Sequence, residues 1–111
     1  MINTLEKEIP EEIKRLARHF RYFVSGDRRS YNVIDRIANA TTPEIAIEAL
    51  KDGLRALKSE YDRSKEKVKY LPSESDVEKV IKRFLEDIYY AKIFASLVFV
   101  WTPEEKEKGG E

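Results

Sequence analysis

The chain has 111 residues, 21 basic and 21 acidic side chains, and no cysteine. This length is sufficient for one domain with its own hydrophobic core. The absence of cysteine excludes structural disulfides and thiolate metal sites. Charged residues make up 38% of the chain, glutamine is absent and methionine occurs once. Such enrichment in lysine and glutamate is typical of proteins from heat-adapted organisms.

The two ends of the chain are polar. The first eight residues lack the basic region and apolar run of a secretory signal. The longest apolar run, from Ile93 to Trp101, is too short to span a bilayer. We therefore predict a cytoplasmic protein with no membrane association, in which residues 1–8 and the charged residues 104–111 are disordered.

Two helices are predicted in the first 40 residues. The first begins at Pro10, which suits the first helical position, and ends near Val24. After a turn at Gly26, the second begins with Ser30 as its capping residue and reaches about Ala40. Apolar residues recur every three or four positions along both helices, which predicts one core-facing side on each. These sides comprise Ile9, Ile13, Leu16, Phe20 and Phe23 in the first helix, and Tyr31, Ile34, Ile37 and Ala38 in the second.

A third helix is predicted from the sequence Thr41-Thr42-Pro43-Glu44, which combines a capping hydroxyl, proline and an acid in the first turn. Gly53 lies on its apolar side, costs about 1 kcal/mol of helix propensity, and is expected to allow close approach of another helix. The core side comprises Ala46, Leu50, Leu54, Leu57 and Tyr61. Between about residues 63 and 75 the periodicity is lost. This lysine-rich connection is either a solvated linker or a phosphate contact.

A fourth and longest helix is predicted to begin with a capping box at Ser75 and Glu78 and to end at Thr102, before Pro103. Its core row comprises Val77, Val80, Phe84, Ile88, Ala91, Ala95 and Val98. Its second half is apolar on another side as well, at Tyr89, Ile93, Leu97, Val100 and Trp101. That half is either the centre of the bundle or a subunit interface. Since no strand pattern is present, we predict an all-α, four-helix bundle-like single domain.

The residues required for most catalytic sites are missing. His19 is the only histidine, so a triad or a histidine-rich metal site cannot form within one chain. Acidic residues occur as surface pairs, such as Glu74 and Glu78, and Gly26 stands in a lone turn rather than a phosphate-binding loop. We predict that the protein is not an enzyme and has no catalytic residues, metal or cofactor.

Positive charge is concentrated near the N-terminus, because residues 13–40 contain seven lysines or arginines and only two aspartates. Rows of cations beside aromatic or amide groups are typical of proteins that bind nucleic-acid backbones. The candidate residues are Lys14, Arg18, Arg21, Tyr22, Arg28, Arg29, Arg36 and Asn39, with the similar row Lys51, Arg55 and Lys58 in the third helix. Because the whole chain is neutral, a merely solvated helix face is the alternative.

Two further functions remain open from these patterns. The second and third helices have the spacing of a helix-turn-helix, although the third helix begins with acidic and apolar residues that suit major-groove reading poorly. Alternatively, the protein is a helical adaptor that binds a partner protein through Tyr89, Ile93, Leu97 and Val100. In that case its basic rows serve only solubility.

Several segments resemble one known family. Residues 21–24, Ser30-Tyr31, residues 34–40 and residues 93–98 are similar to the small subunit of the archaeal type I-A CRISPR effector complex, Cascade. The resemblance implies a non-catalytic helical protein, present in several copies beside the larger subunits that carry the guide RNA. It also implies backbone contacts that support guide RNA–target DNA pairing and the displaced DNA strand, while base pairing provides the sequence specificity.

The resemblance also suggests roles for individual residues. Arg21, Arg36 and Asn39 match the family's motif and are candidates for polar contacts. Asp35 is expected either to orient Arg36 or a neighbouring base, or only to form an ion pair. The expected partners are the larger CRISPR subunits, copies of the chain itself, the guide RNA and the target or displaced DNA strand.

Overall fold

The computed structural model describes residues 9–24, 28–63, 68 and 70–110, and at residues 22–24, 28–30 and 100–110 only the helical backbone. Within these ranges the chain forms five helices and no strand. The helices are α1 (Glu11–Val24), α2 (Arg28–Ala38), α3 (Pro43–Arg63), α4 (Glu74–Glu86) and α5 (Ile88–Gly110). The predicted all-α class is confirmed. The turn at Gly26 and the N-terminal residues 1–8 lie outside the described residues.

Helix α5 is the central element of the domain. It contacts each of the other four helices, whereas α1 packs mainly on α4 and α5, and α2 lies against α3 and α5. Its core residues Ala91, Phe94, Ala95 and Val98 are almost completely buried. The central position explains why this part of the sequence is apolar on two sides.

The core is organised around three phenylalanine rings from three helices. Phe94 of α5 makes edge-to-face contacts with Phe20 of α1 and Phe84 of α4, at ring-centroid distances of 5.8 and 5.9 Å. Gly53 allows α3 to approach this cluster, because a Cβ atom at this position would lie 2.9 Å from Cγ1 of Val33 and 3.1 Å from Cε1 of Phe20. The predicted close approach at Gly53 is therefore confirmed.

The helix predicted from Ser75 to Thr102 is divided into two, so the described residues form five helices rather than four. The longest helix is still the C-terminal one, α5. Asp87 has extended backbone angles and separates α4 from α5. Its N–H group donates to the carbonyl of Arg83, and its carboxylate accepts the N–H of Tyr89 at 2.9 Å. Aspartate competes in this way for backbone groups and disfavours helix interiors. The same residue thus ends one helix and caps the next.

Helix boundaries differ from the predictions at three other places. Ser73, rather than Ser75, caps α4, because its hydroxyl accepts the N–H of Asp76 at 3.1 Å. Helix α2 begins at Arg28, two residues before the predicted cap Ser30. Helix α5 continues through residues 103–110 to Gly110, past the predicted end at Thr102. Glutamate and lysine, which dominate that segment, are good helix formers. In contrast, the predicted cap of α3 is confirmed, since Thr42 accepts the N–H of Ile45.

A lysine from the central helix caps the C-terminus of α2. The Nζ atom of Lys92 donates to the carbonyl oxygens of Ala38 and Ala40, at 2.7 and 3.0 Å. A cation at this end of a helix is favoured by the helix dipole and satisfies carbonyl groups that lack intrahelical partners. Lys92 therefore fixes the end of α2 to α5.

Replacing this lysine should destabilise the domain. We expect Lys92→Met to lower the free energy of unfolding by about 1–2 kcal/mol, because two charge-assisted hydrogen bonds are lost while the aliphatic stem is kept. Urea unfolding followed by circular dichroism measures this change. Lys82→Met, at an exposed position of α4, is the matched control and should remain within about 0.5 kcal/mol of the wild type. Equal stabilities of the two variants would contradict the capping role.

Arg15 and Arg83 form ion pairs that join α1 to α4. Arg15 donates twice to the carboxylate of Asp76, at 2.9 and 3.0 Å. Arg83 donates to Glu12 at 3.2 Å, and its guanidinium lies 5.7 Å from the ring centroid of Tyr90. The hydrogen bonds from Arg15 are the main reason that the pKa of Asp76 is lowered. Neither pair was evident from the sequence, since the partners are 61 and 71 residues apart.

The Arg15–Asp76 pair predicts a specific loss of stability in acid. Because the pKa of Asp76 is lower in the folded than in the unfolded protein, its contribution is complete above the unfolded value of about 3.9 and disappears as the pH falls through the folded value. We expect Asp76→Asn to lower the melting temperature by a few degrees at neutral pH and to make its decrease between about pH 5 and pH 3 shallower. Arg15→Met should have the same effect. Acid transitions as steep as in the wild type would contradict this role.

Candidate nucleic-acid interface

The basic row predicted on α1 does not form a continuous cationic surface. Lys14 is partly buried and lies 3.6 Å from the carboxylate of Glu11, while Arg18 is exposed. The side chain of Arg21 is only 8% exposed. Arg21 follows buried Ala17 by one helical turn, so it lies on the inner side of α1, where its aliphatic stem packs. Arg21 is therefore buried in the structure rather than exposed beside Lys14 and Arg18, and its contact with nucleic acid stays a prediction.

The basic residues of α2 and α3 meet at a single carboxylate. Arg36 of α2 lies 3.0 Å from Asp52 of α3 through its Nη1 atom. Arg55, one turn further along α3, donates to the other oxygen of Asp52. These hydrogen bonds, above all the one from Arg36, lower the pKa of Asp52. Two guanidinium groups from two helices therefore share one ionised carboxylate on the surface.

Two lysines extend this group along α3. Lys51 is exposed and makes no ion pair among the described residues, whereas Lys58 lies 2.9 Å from Asp62. We refer to Arg36, Lys51, Arg55 and Lys58 as the α2–α3 cationic surface. The N-terminal turns of α3 carry exposed Glu44 and Glu48 on nearly the same helix face. On this face, the positive charge thus lies in the middle of α3 and the adjoining part of α2.

The polar residues near the end of α2 have hydrogen-bond and ion-pair partners within the chain. The side-chain amide of Asn39 donates to the backbone oxygen of Asp35 at 2.9 Å. Asp35 is exposed, and the carboxylate that contacts Arg36 belongs to Asp52 instead. An orienting contact from Asp35 to Arg36 is therefore absent from the described part of the chain. Asn39 remains exposed beside this end of α2.

For five other predicted site residues, the structure describes the helix that contains each residue but not its side chain. Tyr22 lies in α1, and Arg28 and Arg29 form the first turn of α2. Val100 and Trp101 lie in α5. Their side chains are outside the described residues. The predictions for these five residues remain predictions.

The predicted subunit interface is divided between the core and the surface. Ile93 and Leu97 are partly buried and pack against the core, whereas Tyr89 is 43% exposed. Leu85, one turn earlier along the chain, is 54% exposed. Among the described side chains, the exposed large apolar residues near the α4–α5 junction are therefore Leu85 and Tyr89, and the subunit interface itself stays a prediction.

The sequence does not predict the positions of two residues in α2 and α3 correctly. Asp52, which holds the two arginines, belongs to no row of like charge and was overlooked. Asp52 lies one residue before Gly53 and three before Arg55. Neither neighbour indicates a contact with Arg36, which lies on another helix. Tyr31 was placed on the core side of α2, yet it is 51% exposed and its ring lies 5.0 Å from that of Phe99.

The described residues lack a cluster of metal-ligating side chains. They contain no group of three or more histidine or acidic side chains that could hold a metal ion. His19 is half-buried, and burial is the main reason that its pKa is lowered.

A cavity of about 310 Å³ between α3 and α4 is mostly apolar, with Leu54, Leu57, Leu71, Pro72 and Val77 among its lining residues. Within the same described ranges, no helix has the length and hydrophobicity required to cross a bilayer.

Comparison with known proteins identifies one related family. The family model described as CRISPR-associated protein (Cas_Csa5) matches residues 21–99. This range includes most of α2–α5, and hence both arginines at Asp52. No curated protein and no solved structure matches the chain.

Proposed function

Since the chain belongs to the family of CRISPR-associated small subunits of the type I-A system, we propose that it is a non-catalytic subunit of Cascade that contacts nucleic-acid backbones through the α2–α3 cationic surface. Its partners are the larger subunits, further copies of itself, the guide RNA and the target or displaced DNA strand. The family membership supports a place in a larger CRISPR complex. The charge arrangement supports the choice of surface.

The observation that carries this proposal is the meeting of Arg36 and Arg55 at the surface. Their side chains are 48% and 72% exposed, so solvent and phosphate groups can reach both. Exposed Lys51 adds a third cation beside them, while Asp52 is the one carboxylate that both arginines contact in the described part of the chain. Phosphate contacts of this kind position a protein without reading sequence.

Such a surface suits a supporting subunit. In an RNA-guided complex, base pairing selects the sequence and the protein stabilises strands through their backbones. A few cations on one chain give weak binding that depends strongly on salt. Several copies along one strand would raise the overall affinity, because each further contact is then intramolecular.

Binding of single-stranded oligonucleotides tests the surface directly. We expect the pair Arg36→Ala and Arg55→Ala to weaken binding of fluorescent dT30 and rU30 on the order of tenfold at low salt, and to reduce the salt slope by roughly 1.4. Fluorescence anisotropy over a salt series measures both quantities. The pair Lys79→Ala and Lys82→Ala removes the same charge from exposed positions of α4 and is the control. Equal losses in both double variants would contradict a specific role of the α2–α3 surface.

A protein–protein adaptor is the second candidate function. It is favoured by exposed Leu85 and Tyr89 at the α4–α5 junction and by the apolar cavity between α3 and α4. In this case, the double arginine variant would bind oligonucleotides as the wild type does. Leu85→Ser with Tyr89→Ser would instead release the chain from its complex. The helix-turn-helix alternative is less favoured, because Glu44 and Glu48 are exposed at the start of α3.

A further inference from the structure

We propose that Asp52 is an internal competitor of the nucleic-acid backbone, whose carboxylate occupies the place between Arg36 and Arg55 that a phosphodiester group takes when a strand binds. This inference rests on the proposed function of the α2–α3 surface. It adds a ligand class, the phosphodiester, and a residue that limits the affinity. Asp52 acts on strand binding through its contacts with the two arginines.

The chemistry of the two arginines supports the exchange. A guanidinium group presents a planar set of N–H donors that matches carboxylate and phosphate oxygens equally well. Arg36 and Arg55 reach different oxygens of Asp52, so the carboxylate bridges donors from two helices. The same two donors can bridge the two free oxygens of one phosphodiester after Asp52 turns away.

The exposure of the three side chains makes the exchange possible. Asp52 is 35% exposed, and both arginines are more exposed than that. An ion pair in such a position contributes little to folding, because water and salt screen it. Its loss on strand binding is therefore a small energetic penalty. A fully buried pair could not be opened in this way without disrupting the fold.

The charge balance explains what Asp52 does to binding. Arg36, Lys51 and Arg55 carry three positive charges, and Asp52 neutralises about one of them while it remains ionised. The chain therefore offers a strand less net charge than its basic residues alone would provide. Each copy binds weakly, so that stable binding requires several copies on one strand. Asp52 thus favours assembled complexes over isolated chains.

The variant Asp52→Asn tests this inference. Asparagine keeps the shape of the side chain and removes its charge. We expect binding of dT30 and rU30 to tighten by roughly three- to tenfold at low salt, with a salt slope steeper by roughly 0.7. Glu48→Gln, on the same helix and without an arginine contact among the described residues, removes the same charge and should change affinity less than about twofold.

Equal effects on DNA and RNA would identify the shared phosphodiester as the ligand, and a gain with one alone would identify that polymer.

A double-mutant cycle separates this inference from the proposed function. In a chain that already carries Arg36→Ala and Arg55→Ala, Asp52→Asn should tighten binding no more than Glu48→Gln does. Circular dichroism melts confirm that every variant compared is folded. If Asp52→Asn weakens binding, or matches Glu48→Gln in the wild-type background, the inference is wrong while the α2–α3 surface stands. If the double arginine variant binds as the wild type does, the proposed surface itself is wrong.

Discussion

Replacing Phe94 by alanine is expected to lower the free energy of unfolding by about 3–5 kcal/mol, one of the two largest effects in this domain. The ring is fully buried and contacts Phe20 and Phe84. Its removal leaves a cavity at the place where α1, α4 and α5 meet. A loss of this size is a large share of the 5–15 kcal/mol that stabilises a typical domain.

Urea unfolding, followed by circular dichroism at 222 nm, measures the Phe94→Ala effect. Phe94→Leu serves as the matched variant, because it keeps much of the apolar volume and should lose less than half as much stability. Phe99→Ala is a second comparison, since Phe99 is only partly buried. If Phe94→Ala is no more destabilising than Phe99→Ala, the packing described for the three rings is incorrect.

Gly53→Leu should be the other most damaging substitution, with an expected loss of about 3 kcal/mol. Even a Cβ atom at this position lies within 2.9 Å of Val33 and 3.1 Å of Phe20. Val33 is β-branched and the ring of Phe20 is fully buried, so neither moves easily. The substitution must therefore force α3 away from α1 and α2.

Two further variants show whether close packing causes that loss. Ser59→Leu places the same side chain at an exposed position of α3 and should change stability by no more than about 0.5 kcal/mol. Gly53→Ala should fall between the wild type and Gly53→Leu, because about 1 kcal/mol of gained helix propensity offsets part of the overlap. A Gly53→Leu protein as stable as the wild type would show that the helices do not approach here.

The sequence predicted the elements whose own residues determine them. The apolar stripe of α1 and the Thr42-Pro43 start of α3 give strong local signals. The structure confirms the start of α3 and the burial of Ile13, Leu16 and Phe20, while the side chain of Phe23 lies outside the described residues. The broken C-terminal helix was missed because the apolar row from Val77 to Val98 continues through Asp87 without interruption. The break depends on the hydrogen bonds that Asp87 makes with the backbone of Arg83 and Tyr89, and on the packing of α4 against α5. Phe84 and Phe94, ten residues apart, would be separated by about 15 Å along an uninterrupted helix. In the structure their ring centroids are 5.9 Å apart.

The candidate site was predicted residue by residue but not as an arrangement. The sequence predicts Arg36 on the exposed side of α2 and Arg55 in the basic row of α3, yet their meeting at Asp52 depends on the packing of α2 against α3. Arg21 was placed on the exposed row because its spacing from Lys14 and Arg18 fits. Its burial follows from the breadth of the inner side of α1, which includes Ala17. The spacing along one helix does not show how much of that helix its neighbours cover.

The most direct test of the account is gentle purification of the tagged full-length protein from its native cells, with identification of the RNA and proteins that accompany it. Membership in a CRISPR effector complex predicts several larger subunits together with short RNAs that share a common end. Recovery of the chain alone, or with an unrelated partner and no RNA, would contradict the central claim. It would then direct attention to the exposed apolar residues Leu85 and Tyr89.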